Sequence, residues 1–166
     1  MKLEQINKLP TNQLSYIAGF LDGDGSIMVQ IVKNKTYKYG HTIRVTVSFY
    51  QKTKRHWFMI KLRKMLGLKW SIRKRNDGIS EVSLTGFTPI KNFLILIKPH
   101  LILEPRLALL VLQIIEEYSQ VQTEADFLEV CKKIDKTAEY TDSKKRKNTY
   151  SSVKTYLNSP VETEKT

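Results

Sequence analysis

Apolar residues in the first hundred positions recur with two different periods. Between Leu14 and Leu21 they recur every three or four positions, the period of a helix with one buried side. From Thr42 to Phe49 they alternate with polar residues, the period of a strand with one buried face. The same two periods predict a helix over residues 13–24, strands over residues 26–32 and 42–49, a helix ending at Gly67, strands over residues 70–75 and 80–85, and a helix over residues 89–97. This order predicts an α+β fold in which one antiparallel sheet carries helices on one face.

The chain after residue 99 shows helical spacing only. Pro105 can occupy the first position of a helix, because the N–H that it lacks would have no partner there. Thr123 and Asp126 have the spacing of a capping box and predict the start of another helix. Residues from about 159 onward offer little to bury, so we predict a single domain over residues 1–158 and a disordered tail over residues 159–166.

Polar side chains dominate the sheet face that the predicted helices leave open. That face carries Gln30, Arg44, Thr46, Ser48, Arg73, Arg75, Glu81 and Ser83. A second packed layer would need apolar residues there, so the face is either solvated or fitted to a ligand. Solvated faces usually mix both charge signs, whereas this face is almost entirely basic or neutral, which favours a binding groove.

The net charge of +12, from 28 Lys and Arg against 16 Asp and Glu, belongs almost entirely to the first half of the chain. Residues 1–83 hold 16 basic and 5 acidic side chains, a net charge of +11, whereas residues 84–166 have a net charge of +1. Such a segment predicts a polyanion such as nucleic acid as the partner. A second basic cluster, at residues 144–147, is either a phosphate clamp on the same polyanion or a solvated segment.

Composition excludes several other classes of protein. The single cysteine, Cys131, cannot form a disulfide within the chain, which excludes a disulfide-stapled secreted protein. The longest apolar runs fall far short of the ~20 residues that span a membrane, and the N-terminus has no signal-peptide pattern, so we expect a soluble protein with no membrane partner. His41, His56 and His100 share no common spacing, so we expect turn, packing or phosphate contacts from them rather than general-base chemistry.

Two acidic residues, Asp22 and Asp24, interrupt the basic half at the end of the first predicted helix. The helix dipole disfavours carboxylates near a helix C-terminus, by up to ~1 kcal/mol, so a compensating cation is expected. The positions do not fit a calcium-binding EF-hand, because Ile27 and Lys33 stand where that loop needs Gly and Glu. One or two carboxylates suit a Mg²⁺ ion whose remaining ligands are phosphate oxygens and water, which indicates phosphodiester chemistry.

Small residues on the same helix indicate close contact between two copies of the chain. Gly19 lies inside the predicted helix, where Gly is about 1 kcal/mol less favourable than Ala. Ala18, Gly19 and Gly23 would give the helix a low profile on which a second copy could pack. Such packing would bring two acidic helix ends together.

Residues 14–26, with the sequence LSYIAGFLDGDGS, resemble the signature motif of the LAGLIDADG homing endonucleases. The similarity extends from about residue 13 to about residue 150 and includes QKTKRHWF at residues 51–58. The chain carries one copy of the motif in roughly the length of the single-motif members. The resemblance implies an αββαββα core with a saddle-shaped antiparallel sheet and additional C-terminal helices.

The resemblance also implies a function. Single-motif members are homodimers that lay two sheets into the major groove of a long, nearly palindromic double-stranded DNA site. They cut both strands across the minor groove with Mg²⁺, leave short 3′ overhangs and thereby support intron homing. Mn²⁺ is expected to support cleavage as well, and Ca²⁺ to bind without efficient cleavage. The implied location is an organelle, the chloroplast before the mitochondrion.

The resemblance further assigns catalytic residues. Asp24 matches the catalytic metal ligand, Gly23 a backbone carbonyl that also contacts metal, and Gln51 and Arg55 the pair that orders water around the scissile phosphate. Glu104 stands at the position of a family lysine, which is a departure from the pattern. Three explanations are open: Arg106 substitutes for the lysine, the alignment slips by two residues, or Glu104 only caps a helix. Asp22 is expected to be a structural partner rather than a metal ligand.

The resemblance assigns DNA contacts and a dimer interface as well. The sheet positions expected to read bases are Met28, Gln30, Val32, Asn34, Thr36, Tyr37, Thr42, Arg44, Thr46, Ser48, Ser71, Arg73, Arg75, Glu81 and Ser83. Among them, arginines could read guanine and Gln30 adenine. Lys144 and Lys147 are expected to bind phosphate groups of the DNA backbone. The expected dimer interface consists of Tyr16, Ala18, Gly19, Phe20 and Gly23.

Two other functions compete with DNA cleavage. An RNA-binding group I intron maturase would need the basic sheet but not the acidic residues. A DNA-binding repressor descended from an inactive nuclease would likewise not need them. The presence of Asp24, Gln51 and Arg55 favours cleavage over both, whereas Glu104 argues for weakened catalysis.

Overall fold

The computed structural model describes residues 8–67, 69–142 and 145–159. Its helices and strands, in chain order, are α1 (Thr11–Asp24), β1 (Gly25–Lys33), β2 (His41–Lys52), α2 (His56–Leu66), β3 (Ser71–Lys74), β4 (Ile79–Thr85), α3 (Phe87–Ile97), α4 (Pro105–Ser119), α5 (Glu124–Lys136) and α6 (Tyr150–Asn158). Short 3₁₀ turns cover Thr53–Arg55, Lys98–His100 and Thr137–Tyr140. The predicted disordered tail lies, apart from Ser159, outside the described residues.

The four strands form one antiparallel sheet in the order β1-β2-β4-β3. Alternate residues of each strand point to opposite faces, and one face carries the apolar set that includes Val29, Val45, Val47 and Phe49, all buried. Helices cover this face, so the predicted α+β fold with helices on one side of the sheet is confirmed.

Helix α1 turns into β1 without a loop. Its buried side consists of Ile17, Ala18 and Leu21, and it packs against β2. The helix ends at Asp24, where the Gly25 N–H donates to the Leu21 carbonyl. A Cβ atom at Gly25 would lie 2.6 Å from Leu21 Cδ1 and 2.8 Å from Leu21 O, so only glycine fits this turn. The acidic end of the helix therefore lies directly at the start of the sheet.

The C-terminal helices close the end of β1 and β2. The predicted capping box is confirmed, because Thr123 and Asp126 exchange side-chain and backbone hydrogen bonds at the start of α5. Helix α6 was not predicted, although Thr149 and Ser152 form a second capping box at its start. Its Tyr156 ring lies against Gly40 in the β1–β2 turn, where a Cβ would come within 2.1 Å of the ring. Among the described residues, no helix has both the length and the apolar character that a membrane crossing requires.

Candidate active site and nucleic-acid interface

The two acidic residues of α1 have different surroundings. Asp22 is half-buried, and its Oδ2 accepts hydrogen bonds from the backbone N–H groups of Ile102 (2.8 Å) and Leu103 (3.0 Å). Its Oδ1 accepts from the Glu104 N–H at 3.2 Å. Asp22 is thus the structural partner that was expected. The expected need for a cation does not hold for Asp22, since backbone N–H groups compensate its charge at the helix end.

Asp24 is exposed and lies next to the end of β2. The strand register pairs Gly25 with Phe49, so the residue before Gly25 comes beside the residues that follow Phe49. Gln51 Nε2 lies 3.5 Å from Asp24 Oδ2, and Gln51 Oε1 accepts from Arg55 Nη1 at 2.8 Å. The structure therefore brings together Asp24, Gln51 and Arg55, three of the five residues that the resemblance assigned to catalysis, and among these described residues it shows no hydrogen bond from the three to Glu104 or Arg106.

The acidic end of α1 offers oxygen ligands only. Gly23 is exposed and lies in the last turn of α1, where backbone carbonyls have no intrahelical partner. Among the described residues, no group of three or more His, Cys, Asp or Glu side chains could enclose a metal ion. One exposed carboxylate and one carbonyl fit Mg²⁺, which prefers oxygen and keeps several ligands from water and phosphate.

Glu104 is the residue before α4, and Pro105 is the first residue of that helix. The Glu104 side chain makes no capping hydrogen bond, so the explanation that it only caps the helix is wrong. Partial burial raises the pKa of Glu104, and the nearby carboxylates of Asp22 and Asp142 raise it further. Arg106, the proposed substitute for the family lysine, is exposed.

The open face of the sheet carries the expected polar side chains. Cross-strand pairs place Gln30 beside Arg44 and Met28 beside Thr46. The hydroxyls of Ser71 and Ser83 lie 2.9 Å apart across β3 and β4. Gln30, Arg44, Ser71, Arg73 and Arg75 are exposed, whereas Met28, Val32, Thr46 and Ser83 are half-buried. The face is thus open and predominantly basic, as predicted.

Known proteins share this architecture and sequence. A family model described as LAGLIDADG endonuclease matches residues 17–101. DNA endonuclease I-CreI of Chlamydomonas reinhardtii is 42% identical over 153 residues, which cover 92% of this chain and 93% of I-CreI. DNA endonuclease I-CvuI of Chlorella vulgaris is 37% identical over 142 residues, which cover 82% of this chain and 88% of I-CvuI.

The chain belongs to the LAGLIDADG endonuclease family. A crystal structure of I-CvuI has a TM-score of 0.82 to this chain at 34% identity, covering 88% of this chain and 92% of that chain. It holds the I-CreI DNA target, uncleaved in the presence of Mg²⁺, and a second I-CvuI complex was solved in the presence of Ca²⁺. The resemblance and the αββαββα core are therefore confirmed.

Two of the expected base contacts of this LAGLIDADG endonuclease are buried. Ser48 is 0% exposed and Glu81 is 8% exposed. Ser48 Oγ donates to Glu81 Oε1 at 3.3 Å, and Arg73 contacts Glu81 Oε2 at 2.6 Å. The expectation that Ser48 and Glu81 are exposed at the surface is wrong. Both are buried because Ser48 donates to the Glu81 carboxylate and the Arg73 side chain covers that carboxylate. The Thr42 side chain also has a hydrogen-bond partner within the protein, since its hydroxyl lies 3.2 Å from the Tyr118 hydroxyl.

The remaining residues that were expected to contact DNA lie in the β1–β2 turn and in the segment that precedes α6. Asn34, Thr36 and Tyr37 lie exposed in the turn, where Asn34 Oδ1 accepts from the Thr36 N–H at 3.0 Å. Residues 145–148 border a cleft of about 400 Å³ along β1, and Lys147 is exposed there. Lys144, the other expected phosphate contact, lies outside the described residues.

The LAGLIDADG helix exposes only part of the expected dimer surface. Tyr16, Gly19 and Gly23 face outward, and a Cβ atom at either glycine would meet nothing within 4 Å. Phe20 is half-buried and stacks on Phe49 at 5.5 Å between ring centroids. Ala18 is 0% exposed, so its assignment to the interface is wrong. The helical period places Ala18 beside Ile17 on the inward side.

Sequence reasoning missed Ser26 and Tyr50 on the same open face. The two hydroxyls lie 3.2 Å apart, and the Arg75 guanidinium lies 5.9 Å from the centre of the Tyr50 ring. Arg75 also pairs with Asp77 at 2.7 Å. Strand alternation could have found both, because Ser26 and Tyr50 share the parity of Met28 and Ser48, which were assigned.

Proposed function

We propose that this chain is a site-specific DNA endonuclease that works as a homodimer and makes a Mg²⁺-dependent break in both strands of a long, nearly palindromic site. The main support for the proposal is that hydrogen bonds connect Asp24, Gln51 and Arg55 at the acidic end of α1, beside an open basic sheet. Cleavage across the minor groove with short 3′ overhangs, as in intron homing, is the proposed outcome.

Dimerisation is supported by the outward side of α1. Each protomer has one Asp24, so cutting two strands calls for two copies of the site. Gly19 and Gly23 are not required by packing within the protomer, since side chains there would meet open space. A second α1 packed against these glycines would explain why a helix keeps two poor helix formers.

The side chains around Asp24 bind and orient rather than attack. Bound Mg²⁺ supplies Lewis-acid stabilisation of the phosphate and lowers the pKa of water. The Gln51 amide is fixed in one orientation, because its nitrogen faces Asp24 and its oxygen accepts from Arg55. The other N–H donors of Arg55 would donate to phosphate oxygens or to water. No side-chain nucleophile takes part.

Base reading is assigned to the exposed side chains of the sheet. Arg44 would donate two hydrogen bonds to guanine, and Arg73 would do so through the donors that do not contact Glu81. Gln30 would pair with adenine, and each such pair is worth ~1–3 kcal/mol of discrimination. Lys147, at the cleft beside β1, is assigned to phosphate. In this proposal Mn²⁺ can replace Mg²⁺, and Ca²⁺ supports binding only.

Selection from a pool of randomised inverted-repeat duplexes tests the function, run in parallel with Mg²⁺ and with Ca²⁺. We expect one palindrome-like site to be cut with Mg²⁺ only. The Asp24→Asn variant should bind that site with Ca²⁺ and fail to cut it with Mg²⁺. Equal cutting by this variant would remove Asp24 from the metal site, and absence of any selected DNA would contradict the DNA interface.

A catalytically weakened DNA-binding relative is the second candidate, and Glu104 is the observation that favours it. A carboxylate at the position of a family lysine opposes the phosphate charge. A maturase that binds its own group I intron RNA is the remaining candidate, and the same basic sheet could serve it. Binding without cutting in either metal would favour these functions. For location we propose an organelle, the chloroplast first and the mitochondrion second.

A further inference from the structure

Helix α1 is joined to the segment that precedes α4 by two side chains. Ser15 Oγ lies 3.3 Å from His100 Nδ1, and Asp22, seven residues further along α1, accepts from the N–H groups of residues 102–104. Residues seven apart share one side of a helix, so both contacts lie along the same edge. The carboxylate of Asp22 takes three consecutive backbone donors at 2.8, 3.0 and 3.2 Å.

Side-chain packing does little to hold residues 102–104. Ile102 is 91% exposed and Leu103 is 72% exposed, so neither anchors the backbone. The next residue, Pro105, has no N–H, and the Glu104 side chain makes no capping bond. Between buried Leu101 and buried Leu107, the backbone N–H groups of residues 102–104 therefore all donate to one side chain, the carboxylate of Asp22.

We propose that Asp22 is a positioning residue for the nuclease reaction: its carboxylate fixes the start of α4, and thereby the side chains at positions 104 and 106, relative to Asp24. Asp22 and Asp24 lie on the same helix turn, so one rigid element sets both the metal-binding end and the start of α4. This inference rests on the proposed function. Asp22 itself touches neither metal nor phosphate in the proposal.

A double-mutant experiment on the full chain tests the inference. With the original Asp22, Glu104→Lys should raise the single-turnover cleavage rate at least about tenfold, because it restores a cation beside the phosphate. In an Asp22→Asn background the same change should alter the rate less than about threefold, because the side chain at 104 is no longer held in place. Cleavage is measured at saturating DNA, with affinity for the selected site in Ca²⁺ as the check. Asp22→Asn should leave that affinity within about twofold, since Asp22 touches no phosphate in the proposal, whereas Glu104→Lys should tighten it by replacing a negative charge beside the phosphate with a positive one.

Asp126 provides a matched control far from the site. Its carboxylate also accepts two backbone N–H groups, from Gln122 at 3.1 Å and Thr123 at 3.0 Å. Asp126→Asn should lower the melting temperature in the manner of Asp22→Asn and leave the rate increase from Glu104→Lys intact. A purely structural role for Asp22 would make the two backgrounds behave alike, which would overturn the inference.

Amide hydrogen exchange gives a second readout that does not depend on cleavage. The amides of Ile102, Leu103 and Glu104 should be protected in the original protein and exchange at least about tenfold faster in Asp22→Asn. Unprotected amides in the original protein would overturn the inference even if cleavage is seen. Protected amides together with no cutting by either the original protein or Glu104→Lys would instead contradict the proposed nuclease function.

Discussion

Arg73 and Glu81 face each other across β3 and β4, and Arg73 Nη2 lies 2.6 Å from Glu81 Oε2. The arginine side chain is 68% exposed, whereas that of the glutamate is 10% exposed and also accepts from Ser48. The pair therefore joins a buried carboxylate to a guanidinium on the open face. Glu81 limits the orientations of Arg73, and Arg73 keeps the Glu81 carboxylate paired.

Replacing Arg73 is expected to lower stability as well as specificity. Arg73→Ala leaves the Glu81 carboxylate with Ser48 as its main partner, which should reduce the free energy of unfolding by about 1–2 kcal/mol. Urea denaturation measures this effect. Arg44→Ala is the matched control, because Arg44 is exposed and forms no ion pair among the described residues. It should weaken discrimination at one base pair and leave stability within about 0.5 kcal/mol. Equal loss of stability in both variants would contradict the pairing argument.

Glu104 should make stability depend on pH in a defined direction. Partial burial, with Asp22 and Asp142 nearby, raises the pKa of Glu104 above its ordinary value of 4.5. The folded state therefore favours the protonated acid. Its contribution to stability is complete below pH 4.5 and is lost as pH rises through the raised pKa. Glu104→Gln should unfold at higher urea than the original protein at pH 7, and the difference should vanish below pH 4.5. A difference that is constant with pH would show that ionisation of Glu104 is not its cause.

A substitution at Gly19 can test dimerisation without disturbing the folding of the protomer. Because nothing lies within 4 Å of a Cβ built at Gly19, Gly19→Leu should leave the protomer folded and raise its helix propensity by about 0.5–1 kcal/mol. In the proposed dimer the same side chain would stand between the two α1 helices. We expect analytical ultracentrifugation to show monomers and cleavage to be lost. The control is Gln113→Leu, an exposed position inside α4 and not on α1, which should leave dimerisation and cleavage unchanged. A Gly19→Leu variant that stays dimeric would contradict the proposed interface.

Gly40 allows the β1–β2 turn to pack closely against α6. It has a φ of +64°, and a Cβ there would come within 2.1 Å of the Tyr156 ring. Gly78 has a similar φ of +78° with nothing within 4 Å. Gly78→Ala should therefore cost about 1 kcal/mol of stability from backbone strain, and Gly40→Ala about 3 kcal/mol, because overlap with the ring is added. Thermal unfolding of both variants provides the comparison, and equal losses would show that α6 moves aside freely.

Much of the candidate site could be predicted because it depends on local patterns. Strand alternation placed Gln30 and Arg44 on the open face, where the register pairs them. The resemblance at residues 14–26 and 51–58 identified Asp24, Gln51 and Arg55, which the structure brings into a hydrogen-bonded line. The capping box at Thr123 was likewise visible from spacing alone.

The sequence by itself determined the order of helices and strands as far as α5, the basic open face and the acidic end of α1, because each follows from periods of two or 3.6 residues, from capping spacing or from net charge. Only the tertiary structure decided that Asp22 binds the backbone of residues 102–104, that Ser48 and Glu81 are buried, and that Ala18 faces inward. These outcomes depend on partners up to 82 residues away in sequence, or on which side of a helix meets the sheet. The packing of whole helices and strands, rather than local spacing, decides which distant residues meet and which side of a helix is buried.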